Sequence, residues 1–309
     1  MVFIHKNLVP AAWLLRDALH KYTAVMAFNF TNMEVIKGII SAANEAQRPV
    51  ILQASQSAIG YMGMDYLRAI VYAAAEESTV PLALHLDHGS SFEICKLCID
   101  NGFTSVMIDA SSQSFDSNVA VTKSVVEYAR KFGVSVEAEL GILSGMEDGV
   151  NMSPRNARYT DPDEAASFTE KTGITSLAIA IGTSHGPNKG VGGNSVISLE
   201  RLKQIKNKVG QFPLVLHGAS SVYGDSIELC NTYGADIKEA NGIDDADIRD
   251  AIKNGITKVN IDTDLRIAFT GAVRKVLETN RSVIDVRTYL GEAISAIHAM
   301  VIRRLSVLP

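Results

Sequence analysis

The alternation of short apolar runs with longer helical patterns constrains the fold of this chain more than any other feature. Several runs are nearly continuous stretches of hydrophobic residues, which is typical of parallel strands covered on both faces. Eight strands are predicted, at residues 23–29, 50–55, 82–86, 105–109, 135–140, 176–182, 213–216 and 256–261. Helical spacing of apolar residues predicts helices at 32–46, 114–132, 262–278 and 286–305.

Eight strand–helix repeats without an intervening linker indicate one closed α/β unit. No low-complexity segment or charge block marks a domain boundary along the 309 residues, a length that α/β barrels often reach undivided. We therefore predict a single (β/α)8 TIM barrel over residues 1–309, with an N-terminal helix and a C-terminal helical extension. A doubly wound open sheet is the alternative fold.

Charge and cysteine content exclude several classes of partner. The formal net charge of −5 provides no basic surface for nucleic acid or for an anionic membrane. No apolar stretch approaches the roughly 18–20 residues that a membrane span needs. Cys95 and Cys98 form a C-x-x-C without a second pair, and an odd total of three cysteines fits a reducing compartment. The sequence therefore predicts a cytoplasmic protein with two ordinary cysteines one helical turn apart.

Polar or ionisable residues stand at the end of every predicted strand. Because the carboxyl ends of barrel strands meet at one rim, where active sites of this fold lie, these side chains are expected to converge. The loops at 141–161 and 184–195 are too long for simple connections and predict binding loops at the same rim. The strand-end residues are Asn29, Ser55, Asp87, His88, Asp109, Glu137, Glu139, His185, His217, Asn260 and Asp262.

Three of these residues are histidines, each next to a glycine. His88, His185 and His217 follow strands three, six and seven, and three imidazoles suit Zn²⁺ or another divalent transition metal. The alternative is three independent hydrogen-bonding loop histidines. His85 lies inside a strand and is interpreted as a core residue or as support for a ligand. Asp87 is a candidate general base, or else it orients a histidine or caps the next helix.

A second set of strand-end residues predicts an anion site. Gly186, Gly218 and Ser220, with Asn260, Asp262 and Thr263, resemble a phosphate cradle. Glycine lets backbone N–H groups approach an oxyanion, and the helix after strand eight directs its positive end at it. Barrels often bind phosphate after strands seven and eight.

These segments together resemble the class II fructose-1,6-bisphosphate aldolases, and within them the shorter class IIB-like subgroup. The similarity covers nearly the whole chain. The matching segments are AFNF (27–30), LHLDHG (84–89), SVMIDAS (105–111), VEAELG (136–141), AIGTSHG (180–186), LVLHGAS (214–220) and KVNIDTDLRIAFTGAVRKV (258–276).

The resemblance implies a role for each of the reacting groups. The three histidines would hold the catalytic zinc, which polarises the C2 carbonyl and stabilises the enediolate of dihydroxyacetone phosphate. Asp87 would take the proton from the C4 hydroxyl as the C3–C4 bond breaks. Glu147, in SGMEDG, matches the acid that returns a proton to the enediolate. Glu139 matches a carboxylate near the metal, either as an alternative ligand or behind the ligands.

The resemblance also implies how the bisphosphate is held. Arg287 corresponds to an arginine that reaches the second phosphate from a neighbouring subunit, so a homodimer or homotetramer is implied. A monovalent cation, Na⁺ or K⁺, is usual near the phosphate. The substrate- and phosphate-binding residues implied in this way are Asn29, Ser55, Gly186, Lys189, Gly218, Ser220, Asn260, Asp262, Thr263 and Arg287.

Three other functions are the alternatives. Tagatose-1,6-bisphosphate aldolases differ in the C4 configuration that they accept and usually lack an acid at Asp262, so fructose bisphosphate is favoured. A metal-dependent hydrolase on a TIM barrel would use the same histidines to activate water, and a non-catalytic protein would bind metal without turnover. The sequence shows no lysine placed convincingly inside a strand for an imine mechanism. Departures from the family pattern are PNKGVGGN after Gly186, SSQ at 111–113 and Tyr223.

Overall fold

The computed structural model describes residues 7–142, 144–147, 150–152, 158–185, 197–238 and 240–309, and the side chains of 144–147, 150–152 and 185 lie outside this description. The strands are β1 (Val25–Asn29), β2 (Val50–Ser55), β3 (Leu82–Gly89), β4 (Ser105–Ile108), β5 (Ser135–Leu140), β6 (Ser144–Glu147), β7 (Val150–Met152), β8 (Ser176–Ile179), β9 (Ser184–His185), β10 (Leu214–Leu216) and β11 (Ile256–Ile261). Eight of them close into a parallel barrel in the order β1-β11-β10-β8-β5-β4-β3-β2. The predicted barrel is therefore confirmed, and the open sheet is excluded.

Helices connect the barrel strands and cover their outer faces. Polar N-caps begin many of them: Asn32, Ser91 and Ser114 each accept a hydrogen bond from a backbone N–H of the first turn. Within the described residues the helices are α1 (Ala11–His20), α2 (Met33–Ala46), α3 (Gln56–Met62), α4 (Met64–Glu77), α5 (Phe92–Asp100), α6 (Phe115–Arg130), α7 (Pro162–Thr172), α8 (Leu199–Val209), α9 (Gly224–Thr232), α10 (Asp245–Lys253), α11 (Thr263–Thr279) and α12 (Val286–Leu305).

The N-terminal helix α1 covers the amino end of the barrel. Its buried face, which includes Leu14, Leu15 and Ala18, forms an apolar cluster with Ile51 and Ala83, residues of β2 and β3. The backbone N–H of Ala12, at the start of α1, also donates a hydrogen bond to the Ser135 hydroxyl at the start of β5. The predicted N-terminal helix therefore covers the amino end of the barrel, opposite the carboxyl ends of the strands.

Side chains two residues apart on four strands point into the barrel. The neighbours of a strand residue point to the opposite face, so residues i and i+2 share a face. The buried polar pairs produced in this way are Gln53 and Ser55, His85 and Asp87, Glu137 and Glu139, and Lys258 and Asn260. Contacts between non-adjacent strands, such as Lys258 on β11 with Glu137 on β5, place these pairs in the interior. The carboxyl half of this barrel is thus filled by polar groups.

The two long predicted loops contain strand structure of their own. β6 pairs antiparallel with β7 and parallel with β9, which gives a three-stranded sheet beside the barrel. In that sheet Gly145 is in register with His185. The connections after β5 and β8 therefore meet at the carboxyl end of the barrel. Among the described residues, none of the helices is long and apolar enough to cross a membrane.

Candidate metal centre and active site

A bulge in β3 brings two consecutive side chains to one place. Consecutive strand residues normally point to opposite faces. Here the pairing of β3 with β4 shifts between Leu86 and Gly89, and His88 has a φ of 48°, in the left-handed region that is unusual for a residue other than glycine. Asp87 and His88 can therefore both contribute to the same cluster.

His88, His217 and Asp87 converge at the carboxyl end of the barrel. Each offers a nitrogen or oxygen atom, and these atoms lie within 4.8 Å of one another. The rings of His88 and His217 have centroids 4.7 Å apart and meet edge to face. A second group within the same limit contains His88, Asp109 and Glu139. The two predicted ligand histidines whose side chains the structure describes, His88 and His217, are thus neighbours.

A carboxylate contacts one ring nitrogen of His88, and another contacts one ring nitrogen of His217. Nδ1 of His88 lies 2.8 Å from Oδ2 of Asp109, and Nε2 of His217 lies 3.0 Å from Oε1 of Glu137. The other nitrogen of His217, Nδ1, lies 3.3 Å from Oε2 of Glu139. A carboxylate behind a histidine fixes the tautomer and the ring orientation, as is usual around bound metal ions.

Charge coupling among these buried groups shifts their proton affinities. Burial raises the pKa of Glu137, but the charge of Lys258 and the hydrogen bond with His217 outweigh it and lower that pKa well below its ordinary range. Burial lowers the pKa of His217, but hydrogen bonds with Glu137 and Glu139 outweigh it and raise that pKa to about 9. The two carboxylates therefore stabilise positive charge at this ring.

Three side-chain amides hold the carboxylate of Asp87. Asn29 donates to Oδ2 at 2.8 Å, Gln53 donates to Oδ2 at 3.3 Å, and Asn260 donates to Oδ1 at 3.3 Å. Ser55 lies beside Asp87 in the β2–β3 register, and its hydroxyl caps α3. Asp87 does not cap the next helix, because the N-cap of α5 is Ser91. The amide contacts fix the orientation of a carboxylate that faces the histidines.

The predicted phosphate residues lie where β10 and β11 end. Gly218 has a φ of 62°, and a Cβ there would lie 2.4 Å from the backbone oxygen of Ser184, so this position accepts only glycine. The hydroxyl of Ser220 accepts a hydrogen bond of 3.3 Å from the backbone N–H of Asp262, and α11 begins at Thr263. Ser220, Asp262 and Thr263 therefore lie together at one helix N-terminus, a position that favours an anion.

A buried arginine anchors the loop that follows β10. Arg304, on the C-terminal helix α12, donates to Tyr223 Oη at 3.0 Å, to Asp245 Oδ1 at 2.7 Å and to the Ser221 hydroxyl, and its Nε lies 3.6 Å from Asp264 Oδ2. Asp264 in turn accepts the backbone N–H of Ser221 at 3.0 Å. We call Arg304, Asp245, Asp264, Ser221 and Tyr223 the anchor cluster.

Several predicted residues are not placed at the centre by the described part of the chain. Gly186 and Lys189 lie outside the described residues, and only the backbones of Glu147 (β6) and His185 (β9) are described. Arg287 is described, and it lies at the start of α12. Its side chain is 87% exposed and pairs with Asp285 at 2.6 Å on the first turn of α12.

The expectation that no lysine is placed inside a strand is wrong. Lys258 lies inside β11, its side chain is 1% exposed, and its Nζ lies 2.9 Å from Oε2 of Glu137. The alternation of β11 carries the signal for it, because Lys258 is two residues before Asn260 and so shares its inward face. The same spacing from Ser55 would have identified Gln53. Lys258 is held beneath the histidines by a carboxylate, which is unlike a lysine presented to a substrate carbonyl.

The donor set fits a divalent transition metal. Imidazole nitrogens and carboxylate oxygens within 4.8 Å of one another are the ligands that Zn²⁺ and similar ions take. Both described histidines have a carboxylate behind the ring, which is the usual support of a metal-bound histidine. His88 and His217 could therefore hold such an ion, with Asp87 or Glu139 close by.

The chain is similar to known aldolases over almost its full length. The family model described as class II fructose-bisphosphate aldolase matches residues 9–309. The fructose-bisphosphate aldolase of Thermus caldophilus is 47% identical over 300 residues, 97% of each chain. That of Giardia intestinalis is 45% identical over 288 residues, 93% of this chain and 88% of that one. Among solved structures, the YdjI aldolase from Escherichia coli K12 superposes with a TM-score of 0.77 at 32% identity, covering 97% of this chain and 96% of that one.

Proposed function

Because the chain belongs to the class II fructose-bisphosphate aldolase family, it is an aldehyde-lyase, and we propose which of its residues perform the cleavage. The reaction is the reversible retro-aldol cleavage of fructose 1,6-bisphosphate to dihydroxyacetone phosphate and glyceraldehyde 3-phosphate. Similar curated relatives are named fructose-bisphosphate aldolases, so the tagatose-bisphosphate alternative is not favoured.

The convergence of Asp87, His88 and His217 carries the proposal. The family is generally zinc-dependent, and His88 and His217 would hold the ion together with His185, with Glu139 close by. A bound zinc ion supplies Lewis acidity, which polarises the C2 carbonyl of the substrate. The residues of the chain then position the sugar and move its protons.

Asp87 is the proposed base. Its carboxylate adjoins the two histidines and is oriented by the amides of Asn29, Gln53 and Asn260. It accepts the proton of the C4 hydroxyl, the C4–O bond becomes a carbonyl, and the electron pair of the C3–C4 bond moves toward the C2 carbonyl. A base held by three amide contacts needs little reorganisation when the substrate binds.

The remaining roles follow the family resemblance. Glu147 would return a proton to C3 of the triose that keeps the C2 carbonyl. Asn260 and Asp262 would contact the sugar, and Ser55 its C1 end. Backbone and hydroxyl groups at Gly218, Ser220 and Thr263 would bind one phosphate, and Ser220 and Thr263 lie at the N-terminus of α11. Gly186 and Lys189 would complete that site, with a monovalent cation, Na⁺ or K⁺, beside it.

Arg287 is proposed to bind the second phosphate of a neighbouring subunit. Its guanidinium is largely exposed and, within the described part of the chain, pairs with Asp285, so it is available to another chain. The proposal therefore includes a homodimer or homotetramer. It also includes a cytoplasmic location and one barrel domain spanning residues 1–309.

A coupled assay with chelation tests the assignment. Purified protein is incubated with fructose 1,6-bisphosphate, triose phosphates are trapped, and the assay is repeated after chelation and after zinc is restored. We expect activity to be lost on chelation and to return with zinc. His217→Ala should remain folded but lose both zinc and turnover. The matched control is His20→Ala, which removes an exposed histidine of α1 and should change neither. Full activity of His217→Ala would refute the proposed centre.

A further inference from the structure

Lys258 is a buried cation that the proposed reaction does not use. Its Nζ lies 3.1 Å and 2.9 Å from the two carboxylate oxygens of Glu137, and 3.3 Å from Nε2 of His85. The side chains of all three residues are at most 2% exposed. Transferring a charge to a protein interior is costly unless it is well paired, so a pair at this depth needs a reason.

His85 supports the lysine from the other side. Its Nδ1 lies 2.7 Å from the hydroxyl of Ser105, and its Nε2 faces the lysine ammonium, which can only donate. Nε2 therefore accepts, and Nδ1 carries the proton that is donated to Ser105. The ammonium is consequently held by one neutral ring and one carboxylate, and its direction toward Glu137 is well defined.

Glu137 connects this lysine to a proposed metal ligand. Oε1 accepts from Lys258 at 3.1 Å and also lies 3.0 Å from Nε2 of His217. A carboxylate oxygen can only accept, so the ring nitrogen facing it is the donor. The hydrogen bond places Nε2 on the inner side, and Nδ1 then lies on the side of Glu139, 3.3 Å from its Oε2.

We propose that Lys258 and Glu137 form a positioning pair that holds the ring of His217 with Nδ1 toward the metal centre and so sets the affinity of the protein for its metal ion. The inference rests on the proposed function, because it takes His217 as a ligand. Glu137 acts directly on the ring. Lys258 acts only through Glu137, by holding both oxygens of its carboxylate, which also accepts a hydrogen bond of 3.4 Å from the Ser176 hydroxyl. The proposed action of both residues is on the ring of His217.

Metal affinity is the measurement that tests the positioning pair. Zn²⁺ dissociation constants are obtained by competition with a chromophoric chelator for the wild type, Glu137→Gln, Lys258→Met and the double variant. Loss of a carboxylate behind a ligand histidine typically weakens metal binding roughly 10–100-fold, and we expect this for Glu137→Gln. Lys258→Met should weaken it in the same direction. The double variant should match Glu137→Gln alone, because the lysine acts through the carboxylate.

Two further measurements separate positioning from stability. Val259→Ala removes packing from the opposite face of the same strand, so it should lower stability and leave the zinc dissociation constant within about twofold. Co²⁺-loaded Glu137→Gln should show shifted visible absorption bands, and Co²⁺-loaded Val259→Ala should not. If a single variant does not fold, the double variant still supplies the test, since it leaves no buried charge unpaired.

The outcomes distinguish this inference from the function on which it rests. A wild-type protein that binds no zinc and cleaves no bisphosphate would refute the proposed function. A wild type that binds and cleaves, beside folded Glu137→Gln and double variants with wild-type zinc affinity, would overturn the positioning pair alone. Weakening by Lys258→Met that adds fully to that of Glu137→Gln would overturn the action through the carboxylate.

Discussion

Lys258 and Arg304 are both buried cations, and their surroundings differ. Lys258 lies inside the barrel and leads through Glu137 to the ring of His217 at the metal centre. Arg304 lies outside the barrel wall, and its described contacts run to the anchor cluster and to the backbone oxygen of Ala219. The charge of Lys258 is therefore linked to a proposed metal ligand, whereas the charge of Arg304 is linked to residues that hold a loop in place. Burial of a charge therefore does not by itself indicate a functional site.

Removal of Arg304 should give the largest effect and should be confined to stability. Arg304→Leu leaves Asp264 buried without its cation, and breaking a buried ion pair typically costs about 3–5 kcal/mol. Urea unfolding of the metal-loaded protein measures the loss. The control is Arg281→Leu, whose exposed pair with Glu278 should contribute little to stability. Zinc affinity of folded Arg304→Leu should equal that of the wild type, and a tenfold weakening would break the comparison.

Zinc itself should give the next largest effect, and equally in both backgrounds. A ligand that binds only the folded state at 100 times its dissociation constant stabilises that state by about 2.7 kcal/mol. The difference between zinc-loaded and chelated protein should therefore be the same for the wild type and for Arg304→Leu. An increment that shrinks in the variant would show that the anchor cluster also shapes the metal centre.

Tyr223→Phe should give the smallest effect. The hydroxyl of Tyr223 donates to Asp245 at 2.9 Å and accepts from Arg304 at 3.0 Å. Its removal should cost about 1 kcal/mol, the usual net contribution of such a bond, while the half-buried ring stays in place. Thermal unfolding measures the loss. An unchanged unfolding temperature would show that Arg304 and Asp245 suffice to hold the loop.

The strands were predictable because their physical signal is local. The predicted strands at 50–55 and 256–261 coincide with β2 and β11, and every residue of both is buried, the polar ones included. The inward faces were also predictable, because alternation is a property of every strand. Lys258 was missed because this alternation was not followed two residues back from Asn260, toward the interior of the barrel.

Other features depend on contacts that no local pattern encodes. The left-handed conformation of His88 accompanies a shift in register against β4, and the LDHG segment (86–89) contains no pattern that predicts it. Arg304 follows Arg303 near the chain end, and the sequence does not distinguish the wholly buried member from its partly exposed neighbour. Tyr223 departs from the family pattern, and its contact with Arg304 becomes evident only when α12 is packed against the loop.

The left-handed residue in β3 has a consequence for the choice of ion. Because Asp87 and His88 are joined by one peptide unit, the proposed base and a proposed ligand cannot be moved independently. A larger ion would push the imidazole outward and carry the neighbouring carboxylate with it. Exchange of the metal for one of different ionic radius would therefore alter the reach of the base toward the hydroxyl proton as well as the Lewis acidity.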